Sequence, residues 1–204
     1  MDIRRGFENC REAIGWDRDL MYHGMWGYNL VSAIQLAEAL EPAKVAWLED
    51  PMPPDFSEAW IHLTAVSKVP ILTGENLGRR QEWVDFFFKK GLHIGQLDMR
   101  NTGGVLESKK ISDLADLALI PLCAHNTGCI VNNFATVHWA STVRDFIASE
   151  TRIGNGDWMD DVILHDGPVI KDGHITVPDK PGLGIELNPD VVKAHLAQGE
   201  TYWG

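Results

Sequence analysis

No stretch of the chain reaches 18 consecutive apolar residues, so none is long enough to cross a membrane as a helix. Its opening, MDIRRGFENC, lacks the apolar centre of a secretion signal. Positive charge is short as well: 18 Lys and Arg stand against 29 Asp and Glu, a net charge of −11. Such a field repels nucleic acid and anionic membranes. An anionic substrate would need a local cation to offset it, which points to a bound metal. Cysteine is scarce. Cys10, Cys123 and Cys129 show no CxxC spacing and leave an odd one over, the pattern of buried free thiols in a reducing compartment. Low-complexity tracts and clear linkers are missing too. A soluble cytoplasmic protein without nucleic-acid or membrane partners is expected.

What is present is a normal globular balance. Apolar residues make up 45% and charged residues 23%, which excludes disorder. The 204 residues suffice for one domain with a real core. They fall short of the about 250 that a complete eight-stranded α/β barrel takes.

Six short apolar runs each end in one metal-binding or proton-carrying side chain. They are DLMY before His23, VAWL before Glu49, ILTG before Glu75, IGQL before Asp98, LIPLCA before His125 and FIAS before Glu150. The gaps between the marked residues are 26, 26, 23, 27 and 25. A step of roughly 25 residues is what one strand, one helix and two short loops consume. Between the runs lie helix patterns, such as LVSAIQLAEALEP with Asn29 as its cap and Pro42 as its stop. A leading helix over 2–14 carries Ile3, Phe7, Cys10 and Ile14 on one face. The predicted fold is therefore α/β, a partial TIM-type (β/α) barrel with its functional groups at the strands' carboxyl ends. The Gly- and Pro-rich tail, DGPVIKDGHITVPDKPGLGIEL, predicts short β segments and turns. We divide the chain into an incomplete barrel over 1–155 and an appendage packing on it over 156–204.

A single glutamate in a loop is ordinarily solvated or salt-bridged. Glu49 and Glu75, however, end runs buried on both faces, where a lone carboxylate is costly unless paired or metal-bound. At adjacent strand ends they converge on one point, which suits a hard divalent cation. Asp98 and His125 follow at successive strand ends. A carboxylate on one imidazole nitrogen fixes the tautomer and makes the other a better base. Glu150 completes the ring and would donate a hydrogen bond to developing negative charge if its pKa were raised. His62, His93, His138, His165, His174 and His195 lie off the periodicity and are expected to be ordinary core or surface residues.

The motifs WLEDP, TGEN, QLDMRNTGG, the AHN turn and the ending DGHITVPDKPGLGIEL, in this order, resemble the mandelate racemase branch of the enolase superfamily. The resemblance runs over essentially the whole chain and corresponds to about strands 3–8 of the family barrel. It implies one divalent metal, Mg²⁺ in the family, held by three strand-end acids. It also implies removal of the proton next to a substrate carboxylate, with the enediolate held on the metal. Glu49 and Glu75 match the second and third ligands, Asp98 and His125 the general acid–base dyad, and Glu150 the electrophilic carboxyl.

Two departures stand out. His23 occupies the place of the family's first ligand, an Asp, lowering the ligand charge from −3 to −2. Mn²⁺, Fe²⁺ or Zn²⁺ accept imidazole more readily than Mg²⁺ does. A changed metal, a weakened Mg²⁺ site, and a His23 that serves the substrate all stand open. The family's N-terminal capping domain, first two barrel strands and strand-2 lysine have no counterpart in this sequence. An open barrel leaves two sheet edges, so a homo-oligomer is expected. The implied activity is dehydration of an acid sugar, a small carboxylate, or a related racemase or cycloisomerase reaction. The alternative is a non-catalytic barrel remnant that binds metal or a small carboxylate, or serves as an assembly partner. Arg100, Asn126 and Trp26, adjacent to the marked positions, are the expected substrate contacts.

Overall fold

A computed structural model describes residues 2–151, 158–165 and 167–203. Six strands lie in one sheet in chain order: β1 (Tyr22–His23), β2 (Leu48–Glu49), β3 (Ile71–Thr73), β4 (Ile94–Leu97), β5 (Leu122–Ala124) and β6 (Phe146–Ser149). Every neighbouring pair is parallel. Helix α1 (Ile3–Ile14) precedes the sheet, and α2 (Leu30–Leu40), α3 (Glu58–Val66) and α4 (Arg80–Phe88) follow β1, β2 and β3 in turn. A single helical turn, α5 (Met99–Thr102), and then α6 (Val105–Ala118) follow β4, α7 (Ile130–Ala140) follows β5, and α8 (Pro189–Ala194) ends the tail. Among the described residues β1 pairs only with β2, and β6 only with β5. The sheet is a partial (β/α) barrel.

Strand alternation sorts the side chains into two layers. Leu48, Ile71, Leu97, Leu122 and Ala124 face the helices, where Trp60, Trp83, Phe86, Phe87 and Trp139 fill the main core. Leu72, Ile94 and Cys123 face the other way and form a small inner cluster with Trp47. Continuing that inner parity, 47 leads to Glu49, 94 to Gln96 and Asp98, and 123 to His125. Parity alone thus carries the polar residues to the mouth of the barrel interior.

Two positions break parity and are corrected locally. Gly74, at φ 134°, lies between β3 and Glu75, and a Cβ there would stand 2.2 Å from the Trp83 ring. Only glycine lets the chain turn at this place, and the turn brings Glu75 inward. In β6 the register slips: Leu122 pairs with Phe146 but Ala124 with Ser149. This bulge adds one residue to β6 and moves Glu150 from the outward to the inward parity.

After β4, Asp98 caps α5, accepting from the Arg100 backbone N–H at 2.7 Å. Two expectations need correction. Helix α1 does not bury Cys10 and Ile14. It packs along Ile3, Phe7 and Arg11, an i, i+4 line, and Arg11 is 4% exposed. That guanidinium donates to the carbonyls of Ala43, Lys44, Gly15 and Arg18, which closes the chain around the start of β1. Cysteine burial also divides: Cys123 is buried in the barrel interior, whereas Cys10 and Cys129 are exposed. Cys10 lies off the packing line of α1, and Cys129 sits in the loop that caps α7.

In the tail, regular structure is reduced to isolated antiparallel bridges, Ile163 with Leu187 and Lys171 with His174. Ile163 packs with Ile130 and Phe134 of α7, and Ile175 and Leu183 close over them. The boundary at 155/156 lies outside the described residues. No described helix is long and apolar enough to cross a membrane.

Candidate active site

Four side chains from three strand ends meet at one point. His23 Nε2 lies 3.5 Å from Glu75 Oε2, 3.6 Å from Glu49 Oε1 and 3.9 Å from Asp50 Oδ2. One potential ligand atom from each residue lies within 4.8 Å of those of the others. The β1 loop is stitched to the β2 loop by backbone bonds from Gly24 to Glu49, Trp26 to Asp50 and Tyr28 to Pro51. Consecutive left-handed residues, Met25 (φ 52°) and Trp26 (φ 55°), make that loop tight enough to reach. Glu49 accepts from the Trp47 indole N–H at 3.2 Å.

Beside this cluster stands the dyad. His125 Nδ1 lies 2.8 Å from Asp98 Oδ2. A carboxylate only accepts, so Nδ1 carries the proton and Nε2 keeps its lone pair in the neutral ring. Nε2 faces Glu75 Oε2 at 3.3 Å and Glu150 Oε2 at 3.6 Å. Asp98 is fully buried and is also gripped by Arg100, whose Nη2 approaches to 2.5 Å. Glu150 is half-exposed and accepts from the Asn126 backbone N–H at 3.0 Å.

The electrostatics follow from burial and crowding. Two carboxylates about 4 Å apart repel by about 4 kcal/mol at the effective dielectric of a partly buried site, so this cluster demands a cation or a proton. Burial pushes the Asp50 carboxyl up to about 7, against the Thr73 hydroxyl that donates to it. Burial likewise raises Glu49. The bond to Glu75, aided by the nearby acids and opposed by burial, raises His23. Burial opposes ionisation of Asp98, yet His125 and Arg100 together hold it well below the usual carboxylate range. Burial lowers His125, but Asp98 and the facing carboxylates outweigh it and the net direction is up.

The expected substrate contacts divide. The Arg100 guanidinium is committed to Asp98 and reaches Thr127 at 3.3 Å. Asn126 is 0% exposed. Its amide donates to Asn133 and accepts from Asn132 and Gly128, so it braces the loop after His125. Trp26 packs edge-on against His23 with centroids 5.6 Å apart, and its indole N–H is buried with no partner among the described residues. Asp50, Trp47, Asn132 and Asn133 escape a reading of the six marked positions. For Asp50 a signal existed: a second acid, just before a proline, ending a buried run.

The oxygen-rich cluster fits a divalent cation on its own chemistry. Asp50 Oδ2 is buried and lacks a hydrogen-bond partner among the described residues, which an ion would supply.

Comparison with known proteins agrees with this geometry. The profile of the enolase C-terminal domain-like family matches residues 2–191. A D-xylonate dehydratase of Haloferax volcanii is 34% identical over 194 residues, 95% of this chain and 47% of its own length. An arabinonate dehydratase of Saccharolobus solfataricus is 27% identical, covering 95% of this chain and 51% of its own. Among solved structures, a mandelate racemase/muconate lactonizing enzyme-like protein of Rubrobacter xylanophilus superposes with a TM-score of 0.93 at 30% identity, over 98% of this chain and 51% of its own. The 3,6-anhydro-D-galactonate cycloisomerase of Zobellia galactanivorans gives 0.87 at 29%, over 96% and 55%. The chain thus spans about half the length of the curated relatives it matches. By the profile match, the fold and the order of its strand-end residues, the chain belongs to the enolase C-terminal domain-like family, in the mandelate racemase branch of the enolase superfamily.

Proposed function

We propose that this chain carries the reaction centre of an acid-sugar dehydratase. The observation that carries the reading is the Asp98–His125 pair at 2.8 Å, with His125 Nε2 turned toward the acid cluster rather than toward solvent. The names of the dehydratase relatives support the substrate class. Asp98 fixes the imidazole tautomer, and Arg100 fixes Asp98. His125 Nε2 accepts the proton α to the substrate carboxylate and then delivers it to the departing β-hydroxyl, which leaves as water. The enol so formed becomes a 2-keto acid. One residue accounts for both proton movements, whereas racemisation needs a second base on the opposite face. Glu150 stands 3.6 Å from His125 Nε2 and faces the charge that develops. Glu49 and Glu75 would hold the divalent cation, Mg²⁺ or Mn²⁺. When bound, that cation neutralises the substrate carboxylate as the α-proton leaves.

A non-catalytic barrel that only binds metal or a small carboxylate is the second reading, favoured by His23 standing where the family has an acid. Incubation of the chain with a panel of acid sugars and Mg²⁺ or Mn²⁺, assayed for 2-keto acid, separates the two. Turnover is expected, and His125→Asn should lower it by about 10³-fold while Mn²⁺ binding persists. Near-normal turnover in that variant removes the dyad from the chemistry. No 2-keto acid from any acid sugar, with Mn²⁺ bound, hands the conclusion to the second reading.

A further inference from the structure

We propose that Asp50, and not His23, completes the carboxylate set of the metal site, and that His23 serves as a hydrogen-bond donor at its rim. The proposal deepens the metal-dependent reading above and rests on it. The first observation is the state of the His23 ring. The Met25 backbone N–H donates to His23 Nδ1 at 3.0 Å, so Nδ1 presents its lone pair and the neutral ring carries its proton on Nε2. Nε2 is the atom that faces Glu49, Asp50 and Glu75. A histidine that ligates through Nε2 needs its proton on Nδ1, usually donated to an acceptor; here that nitrogen meets a donor instead. His23 is therefore built to give a proton-bearing N–H to oxygen.

The second observation is Asp50. Its side chain is 1% exposed. Thr73 Oγ1 donates to Oδ1, which fixes the carboxylate plane. Oδ2 is left buried, without a partner among the described residues, and directed into the cluster. The backbone at Asp50 is left-handed, φ 42°, an uncommon conformation for a residue with a side chain. Adjacent residues of an extended strand point to opposite faces; this local twist lets Glu49 and Asp50 both reach one point. Once ionised around a cation, Glu49, Asp50 and Glu75 together supply −3, which restores the charge that the His23 replacement removes. Three carboxylate oxygens suit Mg²⁺ or Mn²⁺ better than an imidazole-bearing set does.

The test uses the 204-residue chain and Mn²⁺ alone. Free Mn²⁺, followed by its electron paramagnetic resonance signal, gives the Kd of the unaltered chain and of Asp50→Asn, His23→Ala and Glu75→Gln. Asp50→Asn and Glu75→Gln should each weaken binding at least ~10-fold, the lower end of what loss of a metal-shell group costs. His23→Ala should stay within about 3-fold, the scale of one lost weak contact. Electron spin-echo spectra of Mn²⁺ on the unaltered chain should show no directly bound nitrogen, a readout that stands even if a variant fails to fold. Histidine nitrogen on the ion, or Asp50→Asn binding as the unaltered chain does while Glu75→Gln loses Mn²⁺, overturns the assignment and leaves the metal reading intact. No Mn²⁺ binding by the unaltered chain overturns both.

Discussion

At the residue scale, the site depends on which carboxylates are compensated. Asp98 has two partners, His125 and Arg100, and no exposure, so it stays ionised in the folded chain. Its folded pKa lies below the unfolded value of about 3.9. Its contribution to stability is therefore present above that value and is lost as pH falls through the folded pKa. Asp98→Asn should cost about 2 kcal/mol at neutral pH, less than a fully buried pair because Arg100 is partly exposed. The variant should also lose less stability than the unaltered chain on acidification below pH about 4. Urea titrations at neutral pH and at pH 3 would check this; an undiminished acid loss in the variant would remove Asp98 as the source. Asp50 presents the opposite case, a buried acid whose pKa burial raises and whose second oxygen has no hydrogen-bond partner among the described residues.

At the element scale, two small distortions do what ideal strands cannot. The bulge in β6 re-aims Glu150, and the turn at Gly74 re-aims Glu75. A methyl group at position 74 would strike Trp83, which is 0% exposed and locked in the core. Gly74→Ala combines that overlap with an unfavourable φ, so it should cost about 3 kcal/mol and weaken Mn²⁺ binding as well. A denaturation midpoint matching the unaltered chain would show that the turn tolerates a side chain. Arg11 acts in the same way at the start of the sheet. Its four backbone carbonyl partners tie α1 to the segments flanking β1, so the position of His23 depends on a residue outside every strand.

At the scale of the whole molecule, the sheet of the described residues ends at β1 on one side and β6 on the other. The tail runs past β6, where Ile175 and Val177 line a groove with Phe146, Ile147 and Ala148. Ile147 is still 46% exposed, and β1 has no neighbour on its outer side among the described residues. Unpaired parallel edges with apolar side chains favour association. Sedimentation of the chain between about 1 and 200 µM should show a rising average mass, over the range where exposed edges aggregate. A monomer throughout would mean that these edges are adequately covered.

The barrel was legible in the sequence because one physical fact repeats. A strand buried on both faces is mostly apolar until it reaches the mouth, so each run ends visibly at its first metal-binding or proton-carrying residue. That rule located His23, Glu49, Glu75, Asp98, His125 and Glu150, and the five gaps between them were filled by helices of ordinary pattern. It was silent wherever the chain departs from ideal geometry. The inward aim of Glu75 and Glu150 depends on a glycine turn and a bulge, neither of which a periodicity encodes. The burial of Arg11 in place of Cys10 depends on carbonyls 32 and 33 residues away. The commitment of Arg100 and Asn126 to neighbours, and the approach of Asp50 to the cluster, likewise arise only when separate loops are brought together. The sequence by itself determined the fold and the ring of strand-end residues, because both follow from local burial and spacing. Only the tertiary structure decided which of those residues face one another, because hydrogen-bond direction and charge crowding exist only between elements in contact.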